Sequence, residues 1–361
     1  MGGYLGAEQN TKEGDIFRRE TDHMLKGRQS WVFSNRPVIA SSAAVGGPFE
    51  ARGRLAADFD ILHDDLWMGK DSYEKAHTLI LEEAIETAIQ KAEITKEDIN
   101  FMLAGDLVNQ ITPSSFAARS LGIPYFGLFG ACSTSMEGLA LASFLINNQG
   151  ANKVVTGASS HNAAIEKQFR YPTEYGSQKP PTAQWTVTGA GAAVLIDDKD
   201  KAGKLVTTSA TIGKVVDMGI SDPFNMGGAM APAAADTIIT HFKDLQLDPS
   251  YYDLIITGDL AKIGNPIALE LLHQKGLQID SAKFMDCGLM VYKEDQQVQA
   301  GGSGAGCSAA VLYGHLLNEM RKGTYQRILL VATGALLSPL SFQQKESIPC
   351  IAHAVAIEVH P

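Results

Sequence analysis

Ile94-Thr95-Lys96-Glu97-Asp98-Ile99-Asn100-Phe101-Met102-Leu103-Ala104-Gly105-Asp106-Leu107 returns later in the chain as Leu247-Asp248-Pro249-Ser250-Tyr251-Tyr252-Asp253-Leu254-Ile255-Ile256-Thr257-Gly258-Asp259-Leu260. In each copy an aliphatic residue precedes a capping side chain, a polar turn, a short apolar strand and Gly-Asp-Leu. Twelve positions separate Ile94 from Asp106, and twelve separate Leu247 from Asp259. Thr95 can cap its turn, and Phe101 to Ala104 reads as a continuously buried strand. The likeness continues in order. Gly130-Ala131-Cys132-Ser133 leads a helix that ends before Val154-Val155-Thr156-Gly157-Ala158, and Gly306-Cys307-Ser308 leads one that ends before Val331-Ala332-Thr333-Gly334-Ala335. Three ordered matches identify an internal duplication. Upstream, Ala76, Ile80, Ala84 and Ala88, flanked by Leu81, Ile85 and Ile89, predict an amphipathic helix lying on a sheet. Helices alternating with short apolar strands predict parallel sheets covered on both faces, and two such halves face to face predict an α/β body with αβαβα layers.

No Pro, Gly or Ser-rich linker divides the 361 residues, so the halves are expected to pack intimately: a first half over 27–200 and a second over 201–361. Residues 1–26 are read as a flexible extension. The first 23 residues are polar, lack an apolar signal region and show no periodicity. Met24 opens a segment that becomes strand-like at Ser30 to Phe33, which predicts translation starting at Met24. A content of 45% hydrophobic against 19% charged residues is ample for a large core. The net charge of −10, with no cluster of Lys and Arg, argues against a nucleic-acid partner. The longest nearly unbroken apolar stretch, Ile328 to Leu340, is 13 residues, short of the ~20 a membrane span needs, so contact with a membrane is expected only through a partner. Cys132, Cys287, Cys307 and Cys350 show neither CxxC nor metal spacing and read as reduced thiols.

Cys132 lies where a strand passes through a glycine turn into a helix rich in Ala, Leu and Met. The N-terminus of that helix can depress a thiol pKa and favour the nucleophilic thiolate, while a small buried hydrophobe is the other reading of the same cysteine. Gly130-Ala131-Cys132-Ser133-Thr134-Ser135-Met136 resembles the nucleophile segment of thiolases and ketoacyl-acyl-carrier-protein synthases, and Thr188-Gly189-Ala190-Gly191-Ala192-Ala193-Val194-Leu195 is similar to the glycine-rich strand closing their first half. The resemblance covers nearly all of residues 30–361 and implies their duplicated αβαβα fold. It also implies a histidine after a strand of the second half and a further His or Asn in a glycine-rich turn. Here those loops read Thr257-Gly258-Asp259-Leu260 and Gly301-Gly302-Ser303-Gly304-Ala305. An ionised Asp259 would repel a developing enolate, and the Ser303 hydroxyl cannot replace a cationic or amide donor. Loss of one oxyanion donor costs about 3 to 4 kcal/mol, so condensation is not expected although Cys132 persists. The chain thus reads as a pseudoenzyme with no metal site of its own.

Other polar residues crowd the loop ends. His161 is open between a donor to an anionic ligand and a capping group. Asp286, followed by Cys287, is open between a loop cap and, with Asp259, a cation holder. Arg170 in Arg170-Tyr171-Pro172, near Tyr175-Gly176, suits bidentate pairing with a carboxylate or a surface ion pair. The long peptides Arg170 to Gly176, Met230 to Ile238, Asp286 to Met290 and Ser338 to His353 closely resemble the stage V sporulation protein AD family of spore-forming bacteria, over about Gly27 to Glu358. That resemblance implies a ligand-binding role toward dipicolinic acid, alone or as its calcium chelate. It implies partnership with membrane subunits of the same system, a place on the inner membrane of the developing spore, and use in uptake and in release at germination. A homodimer is implied by the thiolase-like resemblance. The candidate contacts are Cys132, His161, Arg170, Asp259, Asp286, Cys287 and Ser303. Two other readings stay open: acyl transfer from a coenzyme A thioester through Cys132, with His161 or His353 as base, and a scaffold whose pocket is vestigial.

Overall fold

The structure, a computed structural model, describes residues 23–169 and 179–361. Its first half builds β1 (Leu25–Lys26), β2 (Ser30–Val32), β3 (Val38–Gly46), β4 (Ile61–Leu62), α1 (Tyr73–Lys91), β5 (Phe101–Gly105), α2 (Thr112–Leu121), β6 (Tyr125–Gly127), α3 (Thr134–Asn147), β7 (Lys153–Ser160), α4 (Asn162–Phe169), β8 (Trp185–Thr186) and β9 (Gly189–Ile196). Next come β10 (Leu205–Thr211), α5 (Met226–Leu245), β11 (Leu254–Thr257), α6 (Ala261–Gln274), β12 (Phe284–Asp286), α7 (Cys287–Met290), β13 (Gly302–Ser303), α8 (Ala305–Ala310), β14 (Arg327–Ala335), α9 (Pro339–Gln343) and β15 (Cys350–Val359). Beyond α8 the chain stays helical through a π turn at Val311–Leu316 to Arg321.

Local chemistry explains the elements that matter. The Ser72 side chain accepts a bond from Lys75 N and starts α1, whose buried face carries Ala76, Ile80, Ala84 and Ala88 as the four-residue spacing predicts. Thr95 and Asp98 form a reciprocal capping box before β5, and Asp248 accepts from Ser250 N before β11, so the repeated peptides are capped in equivalent places.

The strand order is β12-β11-β14-β15-β10-β3-β9-β7-β5-β6. Reading outward from the middle, β3-β9-β7-β5-β6 and β10-β15-β14-β11-β12 follow the same plan with the same pattern of directions. The duplication read from the two Gly-Asp-Leu peptides is therefore written into the topology. A bridge between Val206 and Val38 joins the two sets. The expectation of purely parallel sheets needs correcting: β9 and β15 run antiparallel to both neighbours. Both strands are buried on both faces, and a continuous apolar run has no alternation by which to tell its direction. A second correction concerns the extension expected over 1–26. Leu25–Lys26 pairs with Ser30–Trp31, and Met24 O accepts from Val32 N, so its last residues belong to the fold.

Three hydrophobic clusters separate the layers. In the central one α3 and α8 lie between the two sets of strands, joined by a 2.7 Å hydrogen bond between the Ser135 and Ser308 hydroxyls. Outside the first set of strands lies α1, and outside the second lie α5 and α6. Small residues allow the close approaches on which this layering depends. A Cβ on Gly334 of β14 would stand 2.3 Å from Gly130 O, inside the turn that carries Cys132. Glu50 ties the halves together elsewhere: fully buried, it accepts from Tyr292 of the second half and from Thr188 N. Burial is the main cause that raises its pKa to about 7.

Two outcomes follow from this packing. Gly334→Ala is expected to cost about 1–3 kcal/mol by overpacking the Gly130 turn, read as a lowered urea midpoint at unchanged slope. Glu50 has a folded pKa above its unfolded value, so its contribution to stability is complete below about 4.5 and is lost as the pH rises to about 7. The melting-temperature advantage of the unaltered protein over Glu50→Gln is therefore expected to shrink from pH 5 to pH 8; an advantage that does not change with pH would exclude this origin.

Candidate functional site

Both Gly-Asp-Leu peptides end a strand with a buried aspartate, but the two are used differently. Asp106 caps α2, accepting from Ser114 N at 2.9 Å, Ser114 Oγ at 2.5 Å and Val108 N at 2.7 Å. Asp259 instead gathers groups from three separate segments. Its carboxylate accepts from Thr333 Oγ1 on β14 at 2.7 Å, from Gly304 N at 3.0 Å and from Ser303 Oγ at 3.2 Å. It also faces the Cys132 thiol, which donates to it. Thr333 was not foreseen as a site residue, although its place in the repeated Thr-Gly-Ala could have signalled it. Its counterpart Thr156 has a buried hydroxyl with no hydrogen-bond partner, so only the second-half copy serves the site.

Cys132 sits on a tight turn, Ala131–Ser133, entered with Ala131 at φ +50°. Ser133 Oγ donates to Gly130 O at 2.6 Å, and Thr134 Oγ1 accepts from Gly130 N and donates to Ala131 O, which fixes the turn before α3 begins. Of the two readings open for Cys132, a thiolate favoured by the helix N-terminus and a small buried thiol, the structure supports the second: burial, then the charge and hydrogen bond of Asp259, push its pKa well above the usual value, outweighing Gly304 N and Ser303. Cys132 is held as a thiol, a donor to a carboxylate. Asp259 in turn is raised by burial despite its donors.

Cys132 and Ser303 line a cleft of about 300 Å³ together with Gln184, Thr186, Glu166 and Ser338 and the rings of Phe129, Phe169, Phe224 and Phe342. Gln184 braces the floor: its Nε2 donates to Asp259 O at 2.5 Å and to Gly302 O at 3.4 Å. Glu166, Gln184 and Thr186 escaped the sequence reading because α4 and β8 carry no distinctive spacing. Of the predicted contacts, Cys132, Asp259 and Ser303 are brought together. Asp286 is behind them, accepting from Thr257 Oγ1 at 2.6 Å, Leu260 N at 2.8 Å and Ala261 N at 2.9 Å, and burial lifts its pKa to about 7. It secures the turn in which Ala261 takes φ +53°. Cys287 is wholly buried at the start of α7 and does not reach the cleft wall.

His161 also stays off the cleft wall. It packs 5.7 Å from Tyr73, with Nε2 2.9 Å from Leu66 O, and burial followed by the neighbouring His77 brings its pKa down to about 4. His353, the other base considered for acyl transfer, accepts from Gly213 N at 3.2 Å and is likewise lowered to about 4 by burial. Arg170, Tyr171, Pro172, Tyr175 and Gly176 lie outside the described residues. Among the described residues no three His, Cys, Asp or Glu side chains converge as metal ligands. No described helix is long and apolar enough to cross a membrane.

Because Asp259 holds Cys132 protonated, Asp259→Asn is expected to speed alkylation of Cys132 by iodoacetamide at pH 8. Peptide mass spectrometry reads the rate site by site, and an unchanged rate would mean that burial alone masks the thiol.

Fold comparisons agree with this geometry. The chain resembles 3-oxoacyl-[acyl-carrier-protein] synthase III from Aquifex aeolicus VF5 with a TM-score of 0.56 at 15% identity, over 89% of this chain and 99% of that one. It resembles a single-residue variant of OleA from Xanthomonas campestris with a TM-score of 0.57 at 14% identity, over 91% and 99% of the two chains. These likenesses establish the thiolase-like fold. In sequence the chain is 50% identical over 334 residues to stage V sporulation protein AD of Bacillus subtilis (strain 168), covering 92% of this chain and 98% of that protein. A sequence profile of the stage V sporulation protein AD (SpoVAD) family matches residues 27–358, and the chain belongs to that family.

Proposed function

We propose that this sporulation protein is a non-catalytic binding protein for dipicolinic acid, taken as the free acid anion or as its calcium chelate. In this reading it serves uptake into the developing spore and release at germination. It acts peripherally at the spore inner membrane with membrane subunits of the same system, and as a homodimer.

The observation that carries the reading is the buried Asp259 beside Cys132. A condensing enzyme needs a thiolate nucleophile and donors for an oxyanion; here the thiol is a donor, and the group facing it is an acceptor whose lone pairs are taken up by Thr333, Gly304 and Ser303. What the cleft retains is a binding surface. Four phenylalanine rings and a few hydroxyl and amide groups line about 300 Å³, which suits a flat aromatic acid held by its faces and oriented at its edge. In this reading calcium enters with the ligand, as its chelate. Acyl transfer keeps one observation in its favour, that Cys132 lines the cleft.

Calorimetric titration of the purified protein with dipicolinate, with and without calcium, distinguishes these readings when phthalate and acetyl coenzyme A are run in parallel. Saturable binding of dipicolinate in preference to phthalate is the expected result. Clear coenzyme A binding with acyl-Cys132 in the mass spectrum, and no dipicolinate binding, would replace the binding protein by an enzyme. Silence toward all of them would leave a scaffold.

A further inference from the structure

Among the described residues that line the cleft, Glu166 carries the only acidic side chain, and none is a Lys, Arg or His. An aromatic diacid entering past Glu166 needs a cation within reach of that side chain. Lys179 is that cation: its Nζ lies 2.6 Å from Glu166 Oε1, with the side chains of Lys179 and Glu166 only 8% and 14% exposed. The same ammonium stands 4.8 Å from the centre of the Trp185 ring, which packs 5.0 Å from Phe49. Gln184 and Thr186, on either side of Trp185, both line the cleft. The lysine head is thus held between a carboxylate of the cleft wall and an aromatic ring anchored in the body of the protein. An ammonium withdrawn from water this far requires a carboxylate partner, and a good replacement for one carboxylate is another. The neighbouring Lys167 pairs with Glu74 with both groups far more exposed, an ordinary surface contact.

We propose that Glu166 is an internal stand-in for the ligand's carboxylate: before the ligand arrives it neutralises Lys179, and a carboxylate of the incoming aromatic acid displaces Glu166 Oε1 and takes the ammonium. The exchange leaves a carboxylate on the lysine throughout and moves Glu166 Oε1 off it. It makes the acid's charge, rather than its ring alone, the property selected, and it makes Glu166 a competitor built into the site. This rests on the reading of the cleft as a dipicolinate site and adds to it the cation and the competitor.

The test is titration calorimetry of the full chain and its Glu166→Gln, Lys179→Met and Lys179→Arg variants, using dipicolinate and the uncharged pyridine-2,6-dicarboxamide as probes, with thermal melts as the check on folding. Glu166→Gln removes the competitor and is expected to tighten dipicolinate on the order of tenfold, while Lys179→Met weakens it by a similar factor and Lys179→Arg restores most of the loss. Binding of the diamide is expected to change little in any variant. If the unaltered protein binds dipicolinate but folded Glu166→Gln binds it equally or more weakly, Glu166 does not compete and the proposal falls while the binding reading stands. If Lys179→Met weakens the diamide as much as the acid, the lysine is structural and the proposal falls as well. An unaltered protein that ignores dipicolinate overturns the binding reading itself, and the exchange with it.

Discussion

A carboxylate buried beside a thiol sets the character of this molecule. Asp259 stands where the resemblance to condensing enzymes calls for a group that stabilises negative charge, and it is fully committed to accepting hydrogen bonds from Thr333, Gly304 and Ser303 as well as from Cys132. Burying an acid with that many donors is tolerable only because each is supplied by a rigid segment: β14, the turn after β13, and the Ala131–Ser133 turn. Those segments belong to both halves of the chain. The site therefore exists only when the two duplicated units are packed together, and the layering, the close approach at Gly334 and the inter-half bond from Tyr292 to Glu50 all serve to bring it into register.

Duplication gave two equivalent aspartates, and the fold shows how one was put to each use. Asp106 caps a helix within its own half and is silent toward the cleft. Asp259 has no such helix to cap, because Asp286 from the adjacent strand has taken over the backbone amides of Leu260 and Ala261. Freed from the capping duty, the Asp259 side chain reaches across to the other half. The specialisation of the second copy is a change of hydrogen-bond partners on an unchanged scaffold.

Much of this was legible in the residues. The matched Gly-Asp-Leu peptides announced the repeat, and the strand order repeats it; Cys132, Asp259 and Ser303 were picked from motif position and do meet. What could not be read follows from physics that sequence spacing does not encode. The direction of β9 and β15 was hidden because strands buried on both faces show no alternation. The state of the Cys132 thiol stayed open because a helix N-terminus is visible in sequence, whereas desolvation and a facing carboxylate from 127 residues away are tertiary facts. His161 was open between a site donor and a capping group, and tertiary packing decides it: its Nδ1 accepts from Ala164 N in the first turn of α4, and its Nε2 stands 2.9 Å from Leu66 O. Glu166 and Lys179 gave no signal, since a buried ion pair between a helix and a loop leaves no period or motif.

The central claim is that the cleft beside Cys132 is a place where a ligand rests unchanged. A crystal structure of the protein grown with dipicolinate and acetyl coenzyme A together tests it most directly. The account predicts intact dipicolinate lying among Phe169, Phe224 and Phe342 next to an unmodified Cys132; an acetylated Cys132, or dipicolinate bound elsewhere with the cleft empty, would contradict it.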